Sequence, residues 1–453
     1  MNNLSVKKIP DPSKEIPVVR EVDVLVVGGG PAGIGAALSA ARLGARTLVI
    51  EQYNCLGGVG TAGGHHELTM YNSWNSDERV LGGIPFELRE RIIAEGKGNI
   101  DLGSDLFYDG EAMKLLLDKM MKEAGVEILF YSLFSQAIMD GNSVIGAVIQ
   151  NKSGRQAILA QHAIDCTGDG DVAASAGCAF WQGRDSDGLS QPVTLMFNMG
   201  NVDWPTVKKW WTDWDMKPVW KKAQDDGIME PFQEKIMGLI HTPSQPDIVG
   251  INMTHITHID TTNGFDLSNA TIEGRRQSHH LASVFNKVVP GMENARLIST
   301  APAIGTRESR RIKGDIVLTE KDLQDHREWE DVICYGSFFI DIHNPSGPGM
   351  SEEHYYPAIG FRYQIPYRTM LPVDVDNLLV AGRCISTTHV ALGSTRVMLT
   401  CMALGEAAGA AAALAGRAAM TVRLLPVGIL QTQLKIQGVI IDEEGIAAAN
   451  CKE

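Results

Sequence analysis

The run from Val22 to Glu51 constrains this chain more than any other. Val22-Asp23-Val24-Leu25-Val26-Val27 is a nearly continuous apolar stretch, as a parallel strand buried on both faces requires. Gly28-Gly29-Gly30-Pro31-Ala32-Gly33 follows and fits G-x-G-x-x-G. In that pattern the first glycine turns the chain, the second lets a pyrophosphate approach the backbone, and the third permits close helix–strand packing. Pro31 to Leu43 predicts a helix with proline in its first turn and Gly44 just past its end. Arg46 to Ile50 predicts a second strand, and Glu51 stands about 20 residues past the glycines, placed to accept hydrogen bonds from a ribose. A glycine fingerprint alone says little. Framed by strand, helix, strand and acid, it predicts a dinucleotide on a helix N-terminus.

The rest of the composition narrows the class. A chain of 453 residues has room for two or three domains, and its net charge of −14 without a dense Lys/Arg run argues against nucleic-acid and membrane-surface partners. Seven scattered cysteines with no C-x-x-C argue against a disulfide framework, a zinc ribbon and a thioredoxin-like centre, and point to a cytoplasmic protein. Residues 1–20 lack the apolar core of a signal peptide and are set apart as an N-terminal extension. Cys401 to Ala415, alanine-rich and carrying Glu406, is expected as a buried helix too short to span a bilayer. Asp169-Gly170-Asp171 lacks the further oxygen ligands of a Ca²⁺ loop, so no metal is expected.

Three further stretches extend the first unit. Cys55 to Gly64 is a second glycine-dense loop, bare enough to lie against a flat ligand. Ala163 to Asp171 predicts a buried strand delivering Thr167-Gly168-Asp169, after a hairpin of Val144–Gln150 and Gln156–Ala160. Val373 to Arg383 predicts a strand that rejoins the first unit, and after a loop from Ser386 to Gly393 a long helix is expected to open at Ser394-Thr395-Arg396-Val397. The fingerprint, Glu51 and the Leu56-Gly57-Gly58 loop resemble the flavoproteins of the glutathione-reductase structural superfamily. Gly305-Thr306-Arg307-Glu308-Ser309-Arg310-Arg311, paired with Gly382-Arg383-Cys384-Ile385-Ser386, is most similar to its FAD-dependent oxidoreductase family, over nearly the whole chain after about Glu21.

That resemblance implies FAD as cofactor. It implies contacts from Gly28, Gly30, Pro31, Ala32, Gly33, Glu51, Gln52, Gly57, Gly58 and Thr61, and adenine contacts from Leu133 and Phe134. Thr167, Gly168, Asp169, Gly382 and Arg383 would meet the ribityl and phosphate region, and Ser394, Thr395, Arg396 and Val397 the flavin. Many relatives carry an acid where Arg383 stands, so Asp169 is the better candidate for the ribityl contact. Disulfide reductases of the superfamily carry a redox cysteine pair where this chain has only Cys55, expected to be structural.

The expected fold is α/β, a Rossmann-like FAD-binding domain of 21–176 and 371–453 with an inserted α+β substrate domain of 177–370. In the insertion, Trp204, Trp210, Trp211, Trp214 and Trp220 are expected to pack. His255 and His258 are read as opposite faces of a strand, which disfavours metal binding, and Phe265 to Gln277 as a capped helix start. His65 and His66 are expected as one packed and one solvated ring. The expected activity is hydride transfer between flavin N5 and a small organic substrate; the alternatives are a flavin monooxygenase and a non-catalytic flavin-binding protein. No second fingerprint marks a domain for NAD(P)H. Arg307, Arg310 and His389 are the catalytic candidates, with His65 in reserve, because Arg anchors carboxylate or carbonyl oxygens and His moves protons. The structural alternative for the arginines is an edge paired with Glu308 and Asp315.

Overall fold

A computed structural model describes residues 15–101, 105–211, 217–231 and 238–451. Its central strand, Val18–Val27, pairs in parallel with Thr47–Ile50 on one edge and Gly154–Asp165 on the other. Glu127–Leu129 extends the sheet in parallel beyond Thr47–Ile50. The first strand begins at Val18 rather than Val22. Its exposed start, with Arg20 and Glu21, pairs with Ala157 to Leu159 but lacks the apolar signature of its buried end.

Ser143–Asn151 and Gly154–Asp165 form the expected hairpin, with Asn151 opposite Gly154. The separate strand expected at Ala163 is the far end of the same 12-residue strand. Because the Val18–Val27 strand occupies one edge throughout, the other edge is shared. Ser143–Asn151 pairs with its first half, and Leu378–Val380 joins in parallel at Ala163 to Asp165. The C-terminal end of this strand thus lies beside the chain's late return to the sheet.

The helix Pro31–Arg42 crosses the helix Met398–Arg417 on glycines. A Cβ on Gly405 would lie 1.9 Å from the Ala32 carbonyl oxygen, one on Gly409 2.1 Å from that of Ala36, and one on Gly35 2.1 Å from that of Met402. Backbone meets backbone at this crossing. The expected helix from Ser394 is in fact two: His389–Thr395, capped by Thr388 Oγ1 accepting from Ala391 N, then Met398–Arg417. Val397 is extended between them (φ −67°, ψ 149°), so Ser394 and Thr395 close the short helix instead of opening the long one. At 20 residues the second helix is long and apolar enough to cross a membrane, which corrects the expectation that it is too short; 89% of its most apolar window is buried inside the protein.

Within 177–370, Phe197–Gly200, Gly238–His241, Val249–Asn252 and Arg296–Thr300 form an antiparallel sheet. Gly264–Val288 packs beside it and begins one position before the expected Phe265; its cap is Asn263, whose Oδ1 accepts from Phe265 N. Trp204, Trp211 and Trp220 are buried in a core with Phe197 and Phe285, Trp210 packs against it, and Trp214 lies outside the described residues. His255 and His258 are not on a strand: the regular pairing ends at Asn252, and His258 is left-handed (φ +61°). Two hydrophobic cores divide the molecule: Ile312, Trp329, Ile333 and Tyr363 belong to the same continuous core as the Pro31–Arg42 helix, while the second core runs between Phe197 and Ala295.

Candidate active site

A cavity of about 310 Å³ opens where the sheet's strands end in glycine turns. Of the expected contacts, Gly28, Gly30, Pro31, Ala32, Glu51, Gln52, Gly58, Leu133, Phe134, Thr167, Gly168, Asp169, Gly382, Arg383 and Arg396 line it. The three fingerprint glycines differ in what replaces a side chain. Gly28 (φ +99°) would set a Cβ 2.5 Å from the Cys166 carbonyl oxygen, and Gly33 one 1.9 Å from that of Gly28. Gly30 meets nothing of the protein closer than the Gly58 Cα at 4.0 Å, so its bareness serves the cavity.

The other walls suit a dinucleotide as well. The helix beginning at Pro31 has no side-chain cap, and its N-terminal dipole faces the cavity, ready for phosphates. Glu51 is buried, with Oε2 accepting from Gly29 N and Oε1 from Tyr53 N, each at 2.8 Å. Burial pushes its carboxyl pKa up, opposed by these backbone donors. Each oxygen keeps a lone pair for a further donor such as a ribose hydroxyl.

Arg383 holds the opposite wall. Its Nη2 donates to Asp169 Oδ1 at 2.7 Å and its Nε to the Gly168 carbonyl at 3.0 Å, while Nη1 reaches the Thr306 carbonyl. Gly33, Gly57, Thr61, Ser394, Thr395 and Val397 do not line the cavity. Gly57 (φ +105°) and Thr61 pack on each other beneath the loop, and Ser394 Oγ bonds Tyr363 OH at 2.6 Å. The helix break explains the last three, since it presents Arg396 and Met398 to the cavity in their place.

Behind Arg396 lies a cluster that the sequence reading did not assemble. Arg396 Nη2 pairs with Asp341 Oδ2 at 2.7 Å, and Asp341 also faces His343 Nε2 at 3.5 Å and His354 Nδ1 at 3.6 Å. Asp341 and His343 share a face because isolated bridges at Ile340 and His343 keep the segment extended, with Ile340 and Ile342 buried opposite. The two arginines and His343 hold the Asp341 carboxyl well below its usual range despite its burial.

Arg307, 7% exposed, belongs to the same cluster: its Nη1 donates to the Pro192 carbonyl at 2.8 Å, and burial lowers its pKa to about 9. Burial also brings His65 and His343 to about 4 and His255 to about 3, with Arg307 contributing to each. All three rings are therefore neutral at neutral pH. Tyr108 OH anchors the backbone here, donating to the Gly60 and His65 carbonyls at 2.7 and 3.1 Å. His65 and His66 are both half-buried, so the expected solvated partner is absent.

The four catalytic candidates separate. Arg307 and His65 join this cluster. His389 instead sits at the first turn of its short helix, with Nδ1 2.8 Å from Glu308 Oε1. Glu308 is fully buried, pairs with Arg311 and accepts from Gln191 N at 2.9 Å. Arg310 pairs with Asp171 at 2.9 Å and donates to the Asp169 carbonyl. Asp315 pairs with Arg423, so the expected edge of Glu308 and Asp315 is not one group. Asp341-Ile342-His343 was legible as a same-face pair of chemical groups, had the segment been read as extended.

The match to the FAD dependent oxidoreductase family model runs from residue 23 to 434. This chain belongs to that family. FAD is accordingly its cofactor, and the family is one of oxidoreductases. A thiamine thiazole synthase of Aeropyrum pernix is 33% identical over 129 residues, 28% of this chain and 43% of that one. A digeranylgeranylglycerophospholipid reductase of Picrophilus torridus is 32% identical over 144 residues, 29% of this chain and 35% of that one. The chain thus matches less than half the length of either relative. A geranylgeranyl bacteriochlorophyll reductase-like protein of Thermoplasma acidophilum aligns over 95% of this chain and 96% of its own at 15% identity, with a TM-score of 0.45.

Proposed function

We propose that this enzyme moves a hydride between FAD and a carbon of a small organic substrate, as a dehydrogenase or reductase. The observation that carries the reading is Arg396, which lines the cavity and pairs with Asp341 among Arg307, His65, His255 and His343. Phosphates would rest on the Gly30–Pro31 turn, the adenosine ribose on Glu51, the adenine by Leu133 and Phe134, and the ribityl chain by Thr167 and Asp169. FAD supplies the two-electron carrier. The chain's own groups do the rest: Arg307 and Arg396 orient oxygen atoms of the substrate, and a neutral imidazole, His343 or His65, takes or returns a proton at Nδ1. Both Nδ1 atoms are buried without a partner among the described residues.

The test is an anaerobic screen of the photoreduced and the oxidised protein against unsaturated acids, hydroxy acids, ketones and quinones, read by flavin absorbance. Bleaching or recovery of colour without dioxygen supports hydride transfer. Reoxidation only by dioxygen, with an oxygen atom inserted into the product, would establish a monooxygenase instead.

A further inference from the structure

Arg307 is a buried cation with no ion pair of its own among the described residues. Asp341 is the carboxylate that acts on it, and Asp341 is already paired with Arg396 at 2.7 Å. Among the described residues two guanidinium groups, Arg307 and Arg396, thus share the one carboxylate of Asp341, which leaves one positive charge uncompensated. Uncompensated buried charge is costly, and an anionic group beside Arg307 would relieve it.

The two histidines on the insertion's side of this cluster have fixed tautomers. His255 Nε2 lies 2.8 Å from the Gly347 carbonyl oxygen, and His343 Nε2 faces the Asp341 carboxylate at 3.5 Å. Both oxygens only accept, so each Nε2 carries its ring's proton, and each neutral ring presents a lone pair at Nδ1. Both Nδ1 atoms are buried and unpartnered among the described residues, and the ring centroids lie 6.1 Å apart. No group of three or more His, Cys, Asp or Glu side chains placed to hold a metal occurs among the described residues. The cluster offers one cation for an anion and two acceptors for a donor.

We propose that the substrate is a hydroxy acid, its carboxylate on Arg307 and its hydroxyl donating to Nδ1 of His343 or His255. An amino acid would supply donors too, but its ammonium would add positive charge to a cluster already in excess. This assignment rests on the hydride-transfer reading and deepens it. Oxidation takes a hydride, with both electrons, from the hydroxyl-bearing carbon to the family's FAD, and the hydroxyl proton to the histidine Nδ1, leaving the keto acid. His343 is the better placed acceptor, since Asp341 would stabilise its protonated ring.

Binding can be tested without turnover. The oxidised FAD-loaded protein is titrated with 2-hydroxy-2-methylpropanoate, which lacks a hydrogen on the reacting carbon, and followed by flavin absorbance and melting temperature. Comparison ligands are 2-methylpropanoate, 2-hydroxy-2-methylpropanamide and 2-aminoisobutyrate. The hydroxy acid should bind saturably, with each comparison ligand weaker by about tenfold or more. R307Q should erase the preference for acid over amide, and H343Q with H255Q the preference for hydroxyl over hydrogen. If R307Q loses FAD, R307K serves, retaining the acid preference at reduced affinity. Equal affinity for acid and amide, equal affinity for the hydroxylated and unhydroxylated acids, or no binding by any of the four would overturn the assignment. Binding of the hydroxy acid without flavin reduction by its α-hydrogen counterparts, lactate and 2-hydroxybutanoate, would uphold this binding site and count against hydride transfer.

Discussion

Glu51 holds the fold together at the wall of the cavity, where a ribose would lie under the proposed reading. Its two carboxylate oxygens tie the glycine turn to the chain after the second strand, through Gly29 N and Tyr53 N. Glu51→Ala should therefore weaken FAD by on the order of 1.5–3 kcal/mol per lost charged hydrogen bond, about 10- to 150-fold in Kd, and lower the melting temperature of the apoprotein as well. Fluorescence titration with FAD checks the first and calorimetry the second. His343 carries the chemistry prediction. Burial depresses its pKa to about 4, so the proton-accepting form persists down to that pH and is lost as pH falls through it, where an ordinary histidine would be lost near about 6.5. The substrate-oxidation rate should accordingly hold from neutrality to about pH 5 and fall below it. H343Q should lose roughly 10²–10⁴ in rate with FAD absorbance unchanged. H389Q, whose ring is occupied by Glu308, should lose far less; the reverse ranking would return the proton-moving role to His389.

At the scale of elements, the opening strand, helix and strand were legible because apolar runs, a glycine turn and a terminal acid all carry local signals. The short strands of the insertion were not, since their partners lie far apart in sequence: Phe197–Gly200 pairs with Val249–Asn252 and Arg296–Thr300. The break at Val397 was also hidden, because Ser-Thr reads as a cap while the Arg396–Asp341 contact made beside the break spans 55 positions. The glycines separate two roles that the pattern alone merges. Gly30→Leu should leave the fold intact and abolish FAD binding, because its side chain enters the cavity. Gly405→Val should lower the melting temperature by an overpacking cost of more than roughly 1–3 kcal/mol, because its Cβ meets the Ala32 carbonyl. Circular-dichroism melting with and without FAD distinguishes them, and a Gly30→Leu protein with full FAD content would contradict the cavity assignment.

For the whole molecule, the cavity draws on both ends of the chain: the opening unit, the Thr167–Asp169 turn, and Gly382 to Cys401. Its cluster partner comes from between them, through Arg307, Asp341 and His343. A chain ending at Pro372 loses the Leu378–Val380 strand and the glycine-packed helix, and should bind no FAD when assayed by absorbance after desalting. The cofactor was readable from the sequence because its recognition is local. The cluster was not, because it is made by the meeting of five distant segments. The most direct test of hydride transfer is stopped-flow reduction of the oxidised enzyme, without dioxygen, by the substrate the screen identifies, with hydrogen or deuterium on the reacting carbon. The expected result is flavin bleaching slowed severalfold by deuterium; bleaching at the same rate with either isotope where the chemical step limits, or no bleaching until dioxygen is admitted, would contradict it.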